Sequence, residues 1–131
     1  YFAGNQEDHR FDYNRVNYLG EWTKDQLYRD LSKYSNLVLL SDGEAHPLVC
    51  CEALICGLGL VVSEYASGNL DRTLPFIEII PNDRLHDLPY IERQIIKNRE
   101  ISNRMRNEIR NYGLNNFDWG KLVSKYVDVI N

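Results

Sequence analysis

The chain has 131 residues with 44% hydrophobic and 26% charged content, the proportions of an ordinary globular domain. A formal charge of −4 and an isoelectric point near 5.3 argue against a nucleic-acid footprint. No stretch reaches the roughly 18 apolar residues of a membrane span, so neither nucleic acid nor a transmembrane segment is expected.

Taken in chain order, residues 1–4, 16–20, 37–40, 60–63 and 76–80 are short apolar runs that predict brief, largely buried strands. The first opens on Tyr1-Phe2-Ala3 with no Met and no basic leader. It therefore reads as an internal strand and suggests a piece of a longer protein. Residues 23–34 carry Leu27, Leu31 and Tyr34 at helical spacing behind Thr23, a good N-cap. Residues 47–57 predict a second helix, with proline at its first turn and glycine at its end. Strands separated by helices in this rhythm predict an α/β fold, a Rossmann-like parallel sheet flanked by helices. The last third changes character: 87–97, 101–112 and 118–130 predict charged amphipathic helices, a helical C-terminal tail. Ile101, Met105, Ile109 and Tyr112 form one core stripe there. Arg99, Arg104, Arg106 and Arg110 alternate with Glu100 and Glu108, as on a solvated face. No repeat or linker divides the chain, so residues 1–131 are expected to form a single domain.

Cys50, Cys51 and Cys56 share one apolar segment. Their odd number and spacing fit buried thiols in a reducing compartment, not a disulfide framework or a metal site. His9, His46 and His86 are scattered, and no D-x-D, P-loop, G-x-G-x-x-G or G-x-S-x-G occurs, so no metal or cofactor is expected.

The segment EAHPLVCCE raises the functional question, because it places Glu44 and Glu52 with seven residues between them, the second in an oily helix. An ionised carboxylate is expensive to bury alone. Ligands of open parallel sheets gather outside the carboxyl ends of the strands. The helix start there would offer the amides of Leu48, Val49 and Cys50 to an anion, Pro47 having none. Glu44 lies before the helix and Glu52 about 8 Å along its axis, on the face of Leu48 and Cys56. Carboxylates there would accept hydrogen bonds from vicinal hydroxyls of a ribose or hexose. The blander alternative keeps Glu44 as a helix-dipole partner and pairs Glu52 with a basic side chain. His46 is either a cap or a ligand contact.

The segment EAHPLVCCEALICG resembles the E-x7-E segment of the family 4 retaining glycosyltransferases. Val16-Asn-Tyr-Leu-Gly20 looks like the family's V-x-F-L-G strand, and residues 37–41 like its lead-in to the motif. Residues 60–63 look like its next strand, Ser67-Gly68-Asn69-Leu70-Asp71 is similar to its G-G-x-x-E loop, and Asn116-Phe-Asp-Trp119 to its F-S-W. The resemblance implies the C-terminal, donor-binding half of a two-domain GT-B enzyme, a hexosyltransferase using a nucleoside-diphosphate sugar with retention and without a metal. It implies Glu44 as the catalytic, sugar-contacting acid and Glu52 on the ribose hydroxyls. It further implies that His46, Pro47, Leu48 and Val49 lie along the sugar and diphosphate, Gly20, Glu21 and Trp22 near the base, and Ser67 and Gly68 in the donor loop.

Three departures stand out: Ser67 replaces the first glycine of that loop, Gly59 stands where proline is usual, and His46 replaces a common Phe. The family's domain also begins one β-α unit earlier, with basic residues that reach the diphosphate. The chain alone is thus expected to bind donor weakly and to need an N-terminal domain for a glycan or lipid-linked sugar acceptor. The implied location is cytoplasmic, at a membrane periphery where the acceptor is lipid-linked. A non-catalytic nucleotide-sugar-binding subunit, a related epimerase and a plain α/β interaction domain are the alternatives.

Overall fold

The structure, a computed structural model, describes residues 1–4, 6, 10–43, 47–120 and 127. The chain divides into two compact units, residues 1–31 and 32–131.

In the first unit, β1 (Phe2–Ala3) pairs in parallel with β2 (Tyr18–Gly20), with a register irregularity between Phe2 and Ala3. The Tyr18 hydroxyl donates to the Gly4 carbonyl at 2.6 Å. Phe2, Phe11, Tyr13 and Tyr18 pack ring against ring, with centroids 4.9–5.9 Å apart, so aromatic contacts supplement a sheet too small to hold itself. Helix α1 (Lys24–Asp30) starts with a full capping box. The Gln26 amide donates to Thr23 Oγ1 at 3.2 Å, and the Thr23 amide donates to Gln26 Oε1 at 2.9 Å.

The second unit is built on three parallel strands in chain order: β3 (Asn36–Leu39), β4 (Gly59–Ser63) and β5 (Ile77–Ile80). Leu37, Leu60 and Ile77 lie in one row across them. All five residues of β4 are buried, so both of its faces are covered, as an unbroken apolar run in a parallel sheet requires. Val61 packs with Ile80 and with Ile91 of α3 (Leu88–Arg104). Helix α2 (Leu48–Ile55) joins β3 to β4, packs on both, and is covered in turn by α4 (Arg106–Phe117).

Helix α2 ends in a Schellman motif. The Gly57 amide donates to the Leu54 carbonyl at 3.0 Å and the Leu58 amide to the Ala53 carbonyl at 2.9 Å, with Gly57 at φ 84°. An L side chain is strained at that angle, and a Cβ there would also meet Arg106 Cγ at 2.9 Å.

A buried polar network holds α3 to the beginnings of all three strands. Asn98 Nδ2 donates to the carbonyls of Leu60 and Phe76, each at 3.0 Å. Its Oδ1 accepts from Asn36 Nδ2 at 3.1 Å and from Ser102 Oγ at 3.3 Å. Ser102 stands so close to Gly59 that a Cβ on that glycine would overlap its hydroxyl. Glycine at 59 is therefore required by the approach of α3.

The five strands fall where the apolar runs place them, with ends shifted by one or two residues. The helices of the last third do not. The helix expected over 87–97 continues to Arg104, and the chain breaks at Met105 (φ −106°, ψ 19°). The stripe Ile101, Met105, Ile109 and Tyr112 is therefore split between two helices. The seam of α3 is instead Ile91, Ile95, Asn98 and Ser102, of which Ile91, Asn98 and Ser102 are buried. The helix expected over 118–130 lies largely outside the described residues; at its start the Gly120 amide donates to Asp118 Oδ1 at 2.8 Å. Among the described residues no helix is long and apolar enough to cross a membrane.

Candidate functional site

Helix α2 starts where the chain returns after leaving the carboxyl end of β3. Pro47 is its N-cap, buried and in extended conformation, with no side-chain cap. The amides of Leu48 and Val49 make no hydrogen bond among the described residues. The Cys50 amide, expected to be free as well, instead donates to the Pro47 carbonyl at 3.1 Å. The correction follows from the tightness of the first turn, which closes on the cap residue and leaves two open amides, not three.

The same helix answers the question of Glu52. Cys50, Ala53 and Leu54 are buried, but Leu48 is 63% exposed. Glu52, four residues on, shares the Leu48 side of the helix and is half-buried. The helix is apolar nearly all round in sequence but open along this stripe. The Glu52 carboxylate therefore keeps access to solvent, and no hydrogen bond or ion pair reaches it among the described residues.

The exits of the three strands are tied by side chain to backbone. Ser63 Oγ at the end of β4 donates to the Ser41 carbonyl in the segment leaving β3. Glu64 Oε2 accepts from the Asn82 amide, beyond β5, at 2.9 Å. The segment that leaves β4 then turns at Ser67, which is 1% exposed. Its hydroxyl donates to the Glu64 carbonyl at 2.8 Å and accepts from Arg72 Nη2 at 2.7 Å. Ser67 is thus fully engaged within its own turn, its amide also donating to the Glu64 carbonyl at 3.2 Å and its carbonyl accepting from the Leu70 amide at 3.0 Å, so of the two only the exposed Gly68 remains to meet a ligand. Asn69 reaches α2, its Nδ2 donating to Cys51 Sγ at 3.9 Å. Asp71 accepts from the Thr73 amide at 2.9 Å and the Thr73 hydroxyl at 2.6 Å, and these bonds hold its carboxyl below the usual aspartate range.

Burial raises the Cys51 thiol above its ordinary value, against the opposing hydrogen bond from Asn69, and burial likewise raises Cys56 and the Tyr112 phenol. Both thiols are thereby kept protonated and unreactive at neutral pH.

The structure brings together Pro47, Leu48, Val49 and Glu52 on α2, with Ser67 and Gly68 in the segment that touches α2 through Asn69. Gly20, Glu21 and Trp22 belong to the other unit, where Gly20 closes β2 at φ 78° and the next two residues lead into α1. Glu44 and His46 lie outside the described residues. The sequence placed Asn69 in the loop similar to G-G-x-x-E but gave it no role, and it passed over Arg72, since a lone Arg in a polar loop carries no spacing signal.

No family model, curated protein or solved structure matches the chain.

Proposed function

We propose that the chain is the donor-binding half of a retaining glycosyltransferase, holding a nucleoside-diphosphate sugar at the start of α2. The observation that carries this reading is the Glu52 carboxylate, without a partner among the described residues, on the open stripe of a helix whose first two amides likewise have none among them. Helix-end amides suit a phosphate, and a bare carboxylate on the same helix suits the hydroxyls of a ribose. The two groups together match a ligand that is anionic at one point and polyhydroxylated at another. Each sheet is also wholly parallel with its strands added in chain order, as in either wing of a doubly wound sheet, which supports a GT-B half.

In this reading the Leu48 and Val49 amides stabilise the diphosphate as it departs from the sugar, and Glu44 orients the transferred hexose. The acceptor, a glycan or lipid-linked sugar, is held by a further domain, and the chain by itself binds donor without transferring sugar.

The test is a thermal-shift titration of the chain with UDP, GDP and ADP and with their hexose conjugates. A stabilisation by one base, lost in a folded Glu52→Ala variant, supports the reading. A folded Glu52→Ala variant with an undiminished shift, or a wild-type chain stabilised by none of them, overturns it.

A further inference from the structure

Asn69 and Asn98 make opposite use of the same carboxamide. Asn98 has both ends satisfied inside the protein, by two carbonyls on one side and by Asn36 and Ser102 on the other. Asn69 has its Nδ2 against the Cys51 sulfur, a weak acceptor, and its Oδ1 shut off from solvent with no hydrogen-bond partner. Among the described residues no other buried side-chain nitrogen or oxygen is left in this condition. An amide oxygen withdrawn from water and left unpaired destabilises the fold by about as much as a lost hydrogen bond. A leucine has the same branched skeleton of heavy atoms, though bulkier, without that penalty, so an asparagine here calls for a reason such as a partner outside the free chain.

The chemistry of the amide narrows what completes it. In the orientation described, Oδ1 requires a donor. With the amide ends exchanged, Oδ1 accepts from the Cys51 thiol and the NH2 requires an acceptor. A phosphate satisfies only the second arrangement, whereas a hydroxyl, both donor and acceptor, satisfies either. The residue that Asn69 touches is Cys51, immediately before Glu52 on α2, so the incomplete amide and the unpartnered carboxylate flank the same stretch of helix.

We infer that Asn69, a half-buried side chain whose amide is held by the weak contact with Cys51, turns that amide outward as a second hydroxyl-reading residue of the site on α2, taking a hydroxyl of a bound sugar or ribose alongside Glu52. The inference rests on the donor-binding reading and sharpens it: the group recognised beside α2 is a polyol, and the loop after β4 takes part through Asn69 and not through the Ser67 hydroxyl.

The test compares wild type with Asn69→Leu, and with Asn69→Ala in case leucine prevents folding. Each is titrated calorimetrically with UDP-, GDP- and ADP-hexoses and with the matching nucleoside diphosphates. The expected result is a free Asn69→Leu chain with a Tm equal to or above wild type and nucleotide-sugar binding weakened about tenfold, the worth of one hydrogen bond. Weakening confined to the sugar-bearing ligands puts the hydroxyl on the hexose, and weakening in both series puts it on the ribose; either supports the assignment. Wild-type binding that both folded variants retain in full overturns it while leaving the donor-binding reading intact, and identifies the amide's missing partner as a buried water. A wild-type chain that binds none of these ligands overturns both.

Discussion

Gly113 of α4 lies directly on the backbone of Leu54 in α2: a Cβ added to it would come within 2.5 Å of the Leu54 carbonyl carbon and 2.7 Å of its oxygen. Backbone cannot step aside as a side-chain tip can, so any larger residue must push the two helices apart. Gly113→Ala is expected to lower stability by about 1–3 kcal/mol despite alanine's better helix propensity. Urea denaturation measures this. A neutral or stabilising result would mean that α4 rides further from α2 than described. Because α2 carries Glu52, the same variant tests whether the site depends on that close packing.

Asn98 gives a second prediction. Replacing it with leucine removes both donors from the Leu60 and Phe76 carbonyls, the second of which keeps the Leu60 amide, and leaves the Asn36 amide with the Ile95 carbonyl alone. The expected loss is about 2–4 kcal/mol, since each of the hydrogen bonds lost with Asn98 is worth roughly 0.5–1.5 kcal/mol and the Leu60–Ile77 end of the sheet relaxes only in part. Amide hydrogen exchange reads it locally, with protection falling first at the beginnings of β4 and β5. Unchanged exchange there would show that α3 is held by its apolar seam alone.

This network also marks where sequence reading stopped. The strands were legible because apolar runs of four or five residues bounded by polar turns have one good burial solution. Thr23 was legible because a capping side chain acts within three residues of itself. Glu52 was legible as an anomaly, a charge in an oily segment. Asn98 and Ser102 were not, because in sequence they sit among Lys97, Arg99, Glu100 and Arg104 and look like one more stretch of wetted helix. Only the approach of α3 to Gly59 makes them interior. The break at Met105 was hidden for the same reason, since the residues on either side continue a plausible stripe. Asn69 stayed hidden because an unpaired atom is a property of its neighbours and not of its own position in the chain.

Asp71 supplies a prediction in pH. Its folded pKa is depressed by the two bonds from Thr73, so between that value and the ordinary aspartate pKa the unfolded chain binds more protons than the folded one. The stabilisation is therefore complete above the ordinary value and disappears as pH falls through the folded one. Thr73→Val removes the hydroxyl and keeps the shape and the backbone donor. The wild-type advantage over Thr73→Val, measured as a difference in Tm, should be steady from pH 8 to pH 5 and shrink below the normal aspartate range. A difference that persists unchanged at pH 2 would assign it to packing of the side chain.

Arg106 donates to the Ser32 carbonyl at 2.7 Å and to the Tyr34 carbonyl at 2.6 Å, reaching back across more than half of the chain to the approach of β3. Asn98, Ser102 and Gly113 lie in the same late stretch. The side chains that fasten the beginnings of the three-stranded sheet to α3 and α4 thus leave the ribosome after the sheet itself. During synthesis the strands emerge with their polar beginnings bare, and the unit closes only when α3 and the first turns of α4 arrive. The C-terminal helices, which carry none of the site residues, are in this sense the part of the chain that decides when a site can exist.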